Sequence, residues 1–248
     1  MDATNRPAGD PQLEADLALG DEPRWQWVGA AAGIAAVVLI LASGFIAPQP
    51  PKANATTDKI LKFVVDNRRR VLFSTWLGGL GAAFFLWFVG SLRGAMSRAA
   101  DTAAEMSAVV FAGGVATAVL GTLASVPLLV LAYRGDQLQG TRDLVRTLYD
   151  ANTLGFTLIF FPIAVFVAGA SLLTIQRRIW APWLGVAGLI VAIYDLFAAG
   201  AISDFSGARS PTGAVPFIAF LTFAAFTLAF AIGLLARVGA PGRGRVLT

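Results

Sequence analysis

Six apolar stretches of spanning length follow one another along the chain: Val28 to Ala47, Val71 to Leu92, Ser107 to Tyr133, Thr153 to Ile175, Trp183 to Ile202 and Val215 to Ala236. Each runs about 20 residues or slightly more, and at ~1.5 Å rise per residue such a helix crosses a hydrocarbon layer of roughly 30 Å. A segment in lipid must satisfy its backbone polar groups internally, so the pattern predicts an all-α fold: a polytopic transmembrane helix bundle of about six spanning helices. Pro127, Pro162 and Pro216 fall inside or at the start of such runs, and kinks are expected there.

Two connectors carry a different period. Between Pro48 and Arg70 a proline-rich start gives way to Asp58, Lys62, Asp66 and Arg70 at four-residue spacing, with Ile60, Leu61, Val64 and Val65 at other angles. Between Arg134 and Asn152, Leu144 and Leu148 oppose Arg142, Arg146 and Asp150. Both read as interfacial helices resting on the headgroup layer, on the same side of the membrane. Residues 1–24 hold six acids and three prolines and are expected to be a disordered tail. A six-helix transmembrane domain then occupies 25–237, and 238–248 form a short basic tail. The acidic start argues against a cleaved signal peptide, so the first run is read as a retained helix.

Composition narrows the chemistry. The chain is 56% hydrophobic and 14% charged, with a mean hydropathy of +0.69, so membrane lipid is its expected surrounding. It has no cysteine and no histidine, which removes disulfides, thiolate and imidazole metal sites, His or Cys haem ligation and the Ser-His catalytic pair. No metal, cofactor or catalytic residue is expected. The net charge of +4 comes from bases beside helix ends, where they face headgroups, so nucleic acid is not an expected partner. Counting bases divides the 19 into nine on the N-terminal side and ten on the other, which settles no orientation. The arginine-rich turns SLRGAMSR and IQRRIW and the tail ARVGAPGRGR favour both termini in the cytoplasm.

Within the spans, Gly29 and Gly33 form a small-xxx-small pair that reads as an internal helix contact or, less simply, a homo-oligomer contact. Thr117, Thr122 and Ser125, near Gly121, form a hydroxyl group that either lines a polar path or bonds to its own backbone. The aromatic run Phe84 to Gly90 reads as lipid-facing bulk, with Trp76, Trp180 and Trp183 as interface anchors. Asp195 stands apart. An unpaired carboxylate at that depth costs roughly 2.5 to 3.5 kcal/mol or more, so it carries a proton, faces water, or receives an arginine from a span end. Arg70 is the first choice of partner and Arg134 the second.

The segment DNRRRVLFSTWLGGLGAAFFLWFVGSLR, from Asp66 to Arg93, and the turn IQRRIWAPWLGVAGL, with its Trp-Ala-Pro-Trp-Leu-Gly core from Trp180 to Gly185, resemble a group of multi-pass actinobacterial proteins of unknown function. The resemblance implies an actinobacterial plasma membrane and brings no activity with it. Three functions compete; one, a lipid-modifying enzyme, would need clustered carboxylates at one membrane face, such as Asp136, Asp143, Asp150 and Asp204, which solvated loop charges explain more simply. A small transporter or channel component using Asp195 and the third-span hydroxyls is preferred, because an intramembrane acid is by default a functional-site hypothesis. The alternative is a non-catalytic scaffold, assembly factor or sensor, which requires a closed bundle with no continuous cavity.

Overall fold

Every run of spanning length becomes helix. The computed structural model describes residues 11–98, 104–138, 140–204 and 206–238, and contains no strand among them. Eight helices follow in order: α1 (Pro11–Ile46), α2 (Thr57–Asp66), α3 (Arg68–Ser97), α4 (Ala104–Arg134), α5 (Arg142–Leu158), α6 (Phe160–Arg177), α7 (Pro182–Ala199) and α8 (Ala214–Val238). Among the described residues six segments are long and apolar enough to cross a membrane, and the protein is an integral, multi-pass membrane protein. The helix of the first span extends back to Pro11, into the segment expected to be disordered. An established helix adds residues cheaply, and Leu13, Ala15, Leu17 and Ala18 are good helix formers. The rest of that tail, and the basic tail from residue 239 onward, lie outside the described residues.

The fourth crossing is built from two helices, α5 and α6, which together run 36 residues from Arg142 to Arg177. They part only at Ile159, whose backbone stays helical (φ −61, ψ −28). Pro162 has no N–H to offer the Leu158 carbonyl four residues back, so the ladder breaks there while the direction of the chain continues. At ~1.5 Å per residue the pair is about 54 Å long, well beyond a 30 Å core, so the charged first turns of α5 project out of the bilayer.

The crossings close into a ring in which α1 packs on α3, α3 on α4, α4 on α6, α6 on α7, α7 on α8, and α8 back on α1. Glycines set several of these seams. A Cβ at Gly113 of α4 would lie 2.7 Å from the backbone nitrogen of Phe166 on α6, and one at Gly81 of α3 would lie 2.6 Å from Ile40 Cγ1 on α1. Lipid tails are as apolar as leucine, so such close backbone approach supplies the dispersion that holds helices together. The sharp α6–α7 reversal passes through Arg178 in the left-handed conformation (φ 47), and Pro182 opens α7 at its first turn.

The centre of the ring is filled by aromatic side chains. Phe85 of α3, Phe166 of α6 and Phe223 of α8 meet edge to face, with ring centroids 5.6, 5.7 and 6.3 Å apart. Phe226 and Phe230 continue the stack toward Trp180. The aromatic run of the second span is therefore divided: Phe84, Leu86 and Trp87 face outward as expected, while Phe85 and Phe88 are core. Trp76 and Trp183 are exposed near span ends, whereas Trp180 turns in against Phe230.

Candidate functional site

Asp195 sits on the face of α7 that carries Gly185, Gly188, Ala192 and Ala199, all buried. That face packs against α6 and α8. Its exposure is 0%, so no water-sized space touches it, and both carboxylate oxygens lack a hydrogen-bond partner. No arginine among the described residues reaches it. Arg70 is exposed at the start of α3, and Arg134 donates through Nη1 to Gln137 Oε1 at 3.2 Å. The expected pairing of Asp195 with Arg70 or Arg134 is thus corrected, and the reason is topological. Both arginines do lie at the connector end, but α7 takes its place in the ring beside α6 and α8, away from α3 and α4.

The third-span hydroxyls do not assemble around the acid. Thr117 is buried and donates to Gly113 O at 2.8 Å, Thr122 is exposed and donates to Ala118 O at 2.9 Å, and Ser125 donates to Thr122 O at 2.7 Å. Five residues on a helix turn through about 500°, so Thr117 and Thr122 point to different sides. The polar stripe is absent as a unit, and each hydroxyl satisfies itself on its own helix. Two other buried hydroxyls, Ser171 Oγ and Thr227 Oγ1, have no partner. Ser171 lies where a Cβ on Gly188 would fall, and Thr227 borders an apolar void of about 10 Å³ with Phe85 and Phe223, at the lower limit for one water.

Gly29 and Gly33 are used inside the protomer: a Cβ at Gly29 would meet Ser91, and one at Gly33 would lie 2.6 Å from Phe88 and 2.8 Å from Ala231. The pair is an internal contact of α1 with α3 and α8, so it is not the surface for an oligomer. No group of three or more His, Cys, Asp or Glu gathers among the described residues.

The polar construction that sequence reasoning missed lies at the connector end, where three connectors fold into one cap. Its core is Ile60 and Val64 of α2, Val71 of α3, Leu131 of α4, Leu138, and Val145 and Tyr149 of α5. Ile60 and Val64 of α2 are therefore covered by protein, which corrects for them the expectation that they rest on headgroups, while Val65 stays exposed. Arg146 binds the proline-rich connector, donating from Nη2 to Ala53 O at 2.6 Å and from Nη1 to Ala55 O at 2.9 Å, while Nε bonds Asp150 at 2.8 Å. Tyr149 donates to Pro51 O, and the Ala53 amide donates to Thr212 Oγ1 at 3.1 Å, which ties in the α7–α8 connector. Arg142 pairs with Asp58 at 3.1 Å across the α5–α2 contact. The signal available in sequence was the run Pro48 to Pro51, whose carbonyls have no ladder to join, followed by an arginine and a tyrosine three apart on a facing helix. Deeper, Asn152 of α5 donates to Ala124 O of α4 at 2.8 Å, next to the Leu123 carbonyl that Pro127 leaves without a ladder donor.

No protein-family model, no curated protein and no solved structure matches this chain.

Proposed function

We propose that this protein is a non-catalytic scaffold, assembly factor or sensor of the plasma membrane, acting through its folded connector cap. The observation that carries this reading is the filled ring axis: Phe85, Phe166 and Phe223 occupy the place where a transport path would run, and Asp195 touches no water-sized space. Against that sealed bundle, the cap is a small folded unit with its own core and a charged outer surface bearing Asp58, Lys59, Lys62 and Arg142. The arginines at the opposite helix ends support a reading with both termini in the cytoplasm and the cap outside, and the resemblance carried by Asp66 to Arg93 and Trp180 to Gly185 supports an actinobacterial plasma membrane.

A photo-reactive side chain placed at Lys59 or Thr147 on the cap tests the reading in native membranes. Discrete cross-linked products from the cap, absent when the same group is placed at lipid-facing Ile193, are expected. Cross-links of equal pattern from both places would overturn it. A second reading, transport, is favoured by one observation, that the intramembrane acid has no structural partner. Proteoliposomes under an imposed proton or sodium gradient separate the two: a flux abolished by Asp195→Asn would establish transport.

A further inference from the structure

Arg68, Arg69 and Arg70 stand in succession where α3 enters the membrane from the cap. Arg68 is committed to α4, since its Nη2 donates to Tyr133 O at 3.0 Å and its guanidinium lies over the Tyr133 ring. Arg69 and Arg70 are exposed, and neither has a hydrogen bond or ion pair among the described residues. The adjacent acid, Asp66, is held by Lys62 at 2.9 Å. A hollow of about 310 Å³ lies open along Val65 to Arg70. Arg69 and Arg70, with no ion pair among the described residues, create a local excess of positive charge.

The surface beneath Arg69 is apolar. Residues four, seven and eleven positions on, Phe73, Trp76 and Leu80, share its outward face, and all three are exposed. The rings of Phe73 and Trp76 stack with centroids 5.8 Å apart. Trp76 lies about 10 Å further into the bilayer than Arg69 at helical rise. The headgroup layer is roughly 5 to 7 Å thick on each side, so a phosphate at the arginines would set its acyl chains beside the Phe73–Trp76 pair.

We infer that this face of α3 is a binding site for an anionic glycerophospholipid, with Arg69 and Arg70 on the phosphate and Phe73, Trp76 and Leu80 along an acyl chain. The charged head and apolar stem of a lipid match the two halves of the stripe, which a soluble anion would leave half unused. The inference is independent of whether the cap acts as a scaffold. Trp76 makes the site its own reporter. In phosphatidylcholine proteoliposomes doped with a few mole per cent of acyl-brominated phosphatidylglycerol, tryptophan quenching should exceed that given by brominated phosphatidylcholine. Arg69→Gln with Arg70→Gln should remove most of the excess, a loss of preference of about fivefold per arginine. Trp76→Phe should remove the excess signal, whereas Arg98→Gln at the opposite end should leave it. Lysine at both positions should retain much of it, which separates charge from folding. Equal quenching by the two lipids, or an excess that survives the double Gln substitution, would overturn the site. Displacement of the brominated lipid by millimolar inorganic phosphate would overturn the lipid assignment in favour of a soluble anion.

Discussion

Replacing Gly113 by alanine places a methyl group 2.7 Å from the backbone nitrogen of Phe166 and 3.0 Å from its Cα. Those atoms cannot rotate away, so α4 and α6 must separate and loosen the aromatic cluster that Phe166 shares with Phe85 and Phe223. Overpacking of this kind costs typically 1–3 kcal/mol, and a backbone clash belongs in the upper half of that range. Alanine in place of glycine returns about 1 kcal/mol of helix propensity, leaving a net loss of about 1–2 kcal/mol. For a chain of this size that lowers the midpoint by roughly 2 to 8 °C. Gly79 on the same ring's outer surface supplies the control, because a Cβ there meets nothing within 4 Å. Gly79→Ala should leave the midpoint unchanged or raise it. The assay is intrinsic-fluorescence melting of both variants and the parent in one detergent at one scan rate. A Gly113→Ala midpoint equal to or above that of Gly79→Ala would refute the close α4–α6 seam.

Asp195→Asn should fold and lose less than about 1 kcal/mol, because no arginine is orphaned, whereas breaking a buried ion pair costs about 3–5 kcal/mol; thermal melting distinguishes them. Arg146→Ala should speed hydrogen exchange across residues 51–57 at least tenfold while leaving α6 and α8 amides unchanged, since Arg146 donates to two carbonyls of that connector. Asn152→Ala should cost about 0.5–1.5 kcal/mol by removing the inter-helix hydrogen bond to the Ala124 carbonyl, measured by the same melting assay, and an unshifted midpoint would show that the bond carries no weight.

The spans were legible because hydropathy over about 20 residues is a property of the segment itself: the third runs Ala104–Arg134 against an expected Ser107 to Tyr133. The inward use of Gly29 and Gly33 was legible for a related reason, since small residues line whatever seam is closest. Which helix lies beside which was not legible. Asp195 could be matched to Arg70 by depth, but depth says nothing of position around the ring, and α7 lies beside α6 and α8. The two sides of α2 were legible as polar and apolar; that Leu131, Leu138, Val145 and Tyr149 would cover the apolar side depended on three connectors meeting. The Thr117 to Ser125 group failed on angle alone, since residues near in sequence were counted together without separating the 140° between Thr117 and Thr122.

Cysteine accessibility bears most directly on the claim that the bundle is sealed, because the chain has no cysteine of its own. Single cysteines replacing Asp195, Thr117 and, as an exposed reference on the cap, Asn54 would be treated in sealed vesicles with a membrane-impermeant methanethiosulfonate, which modifies only thiols in contact with water. A sealed bundle gives rapid modification at position 54 from the cap side and none at 195 or 117 from either side. Modification at 195 on the same time scale as at 54 would show a water path to the acid and contradict the sealed bundle.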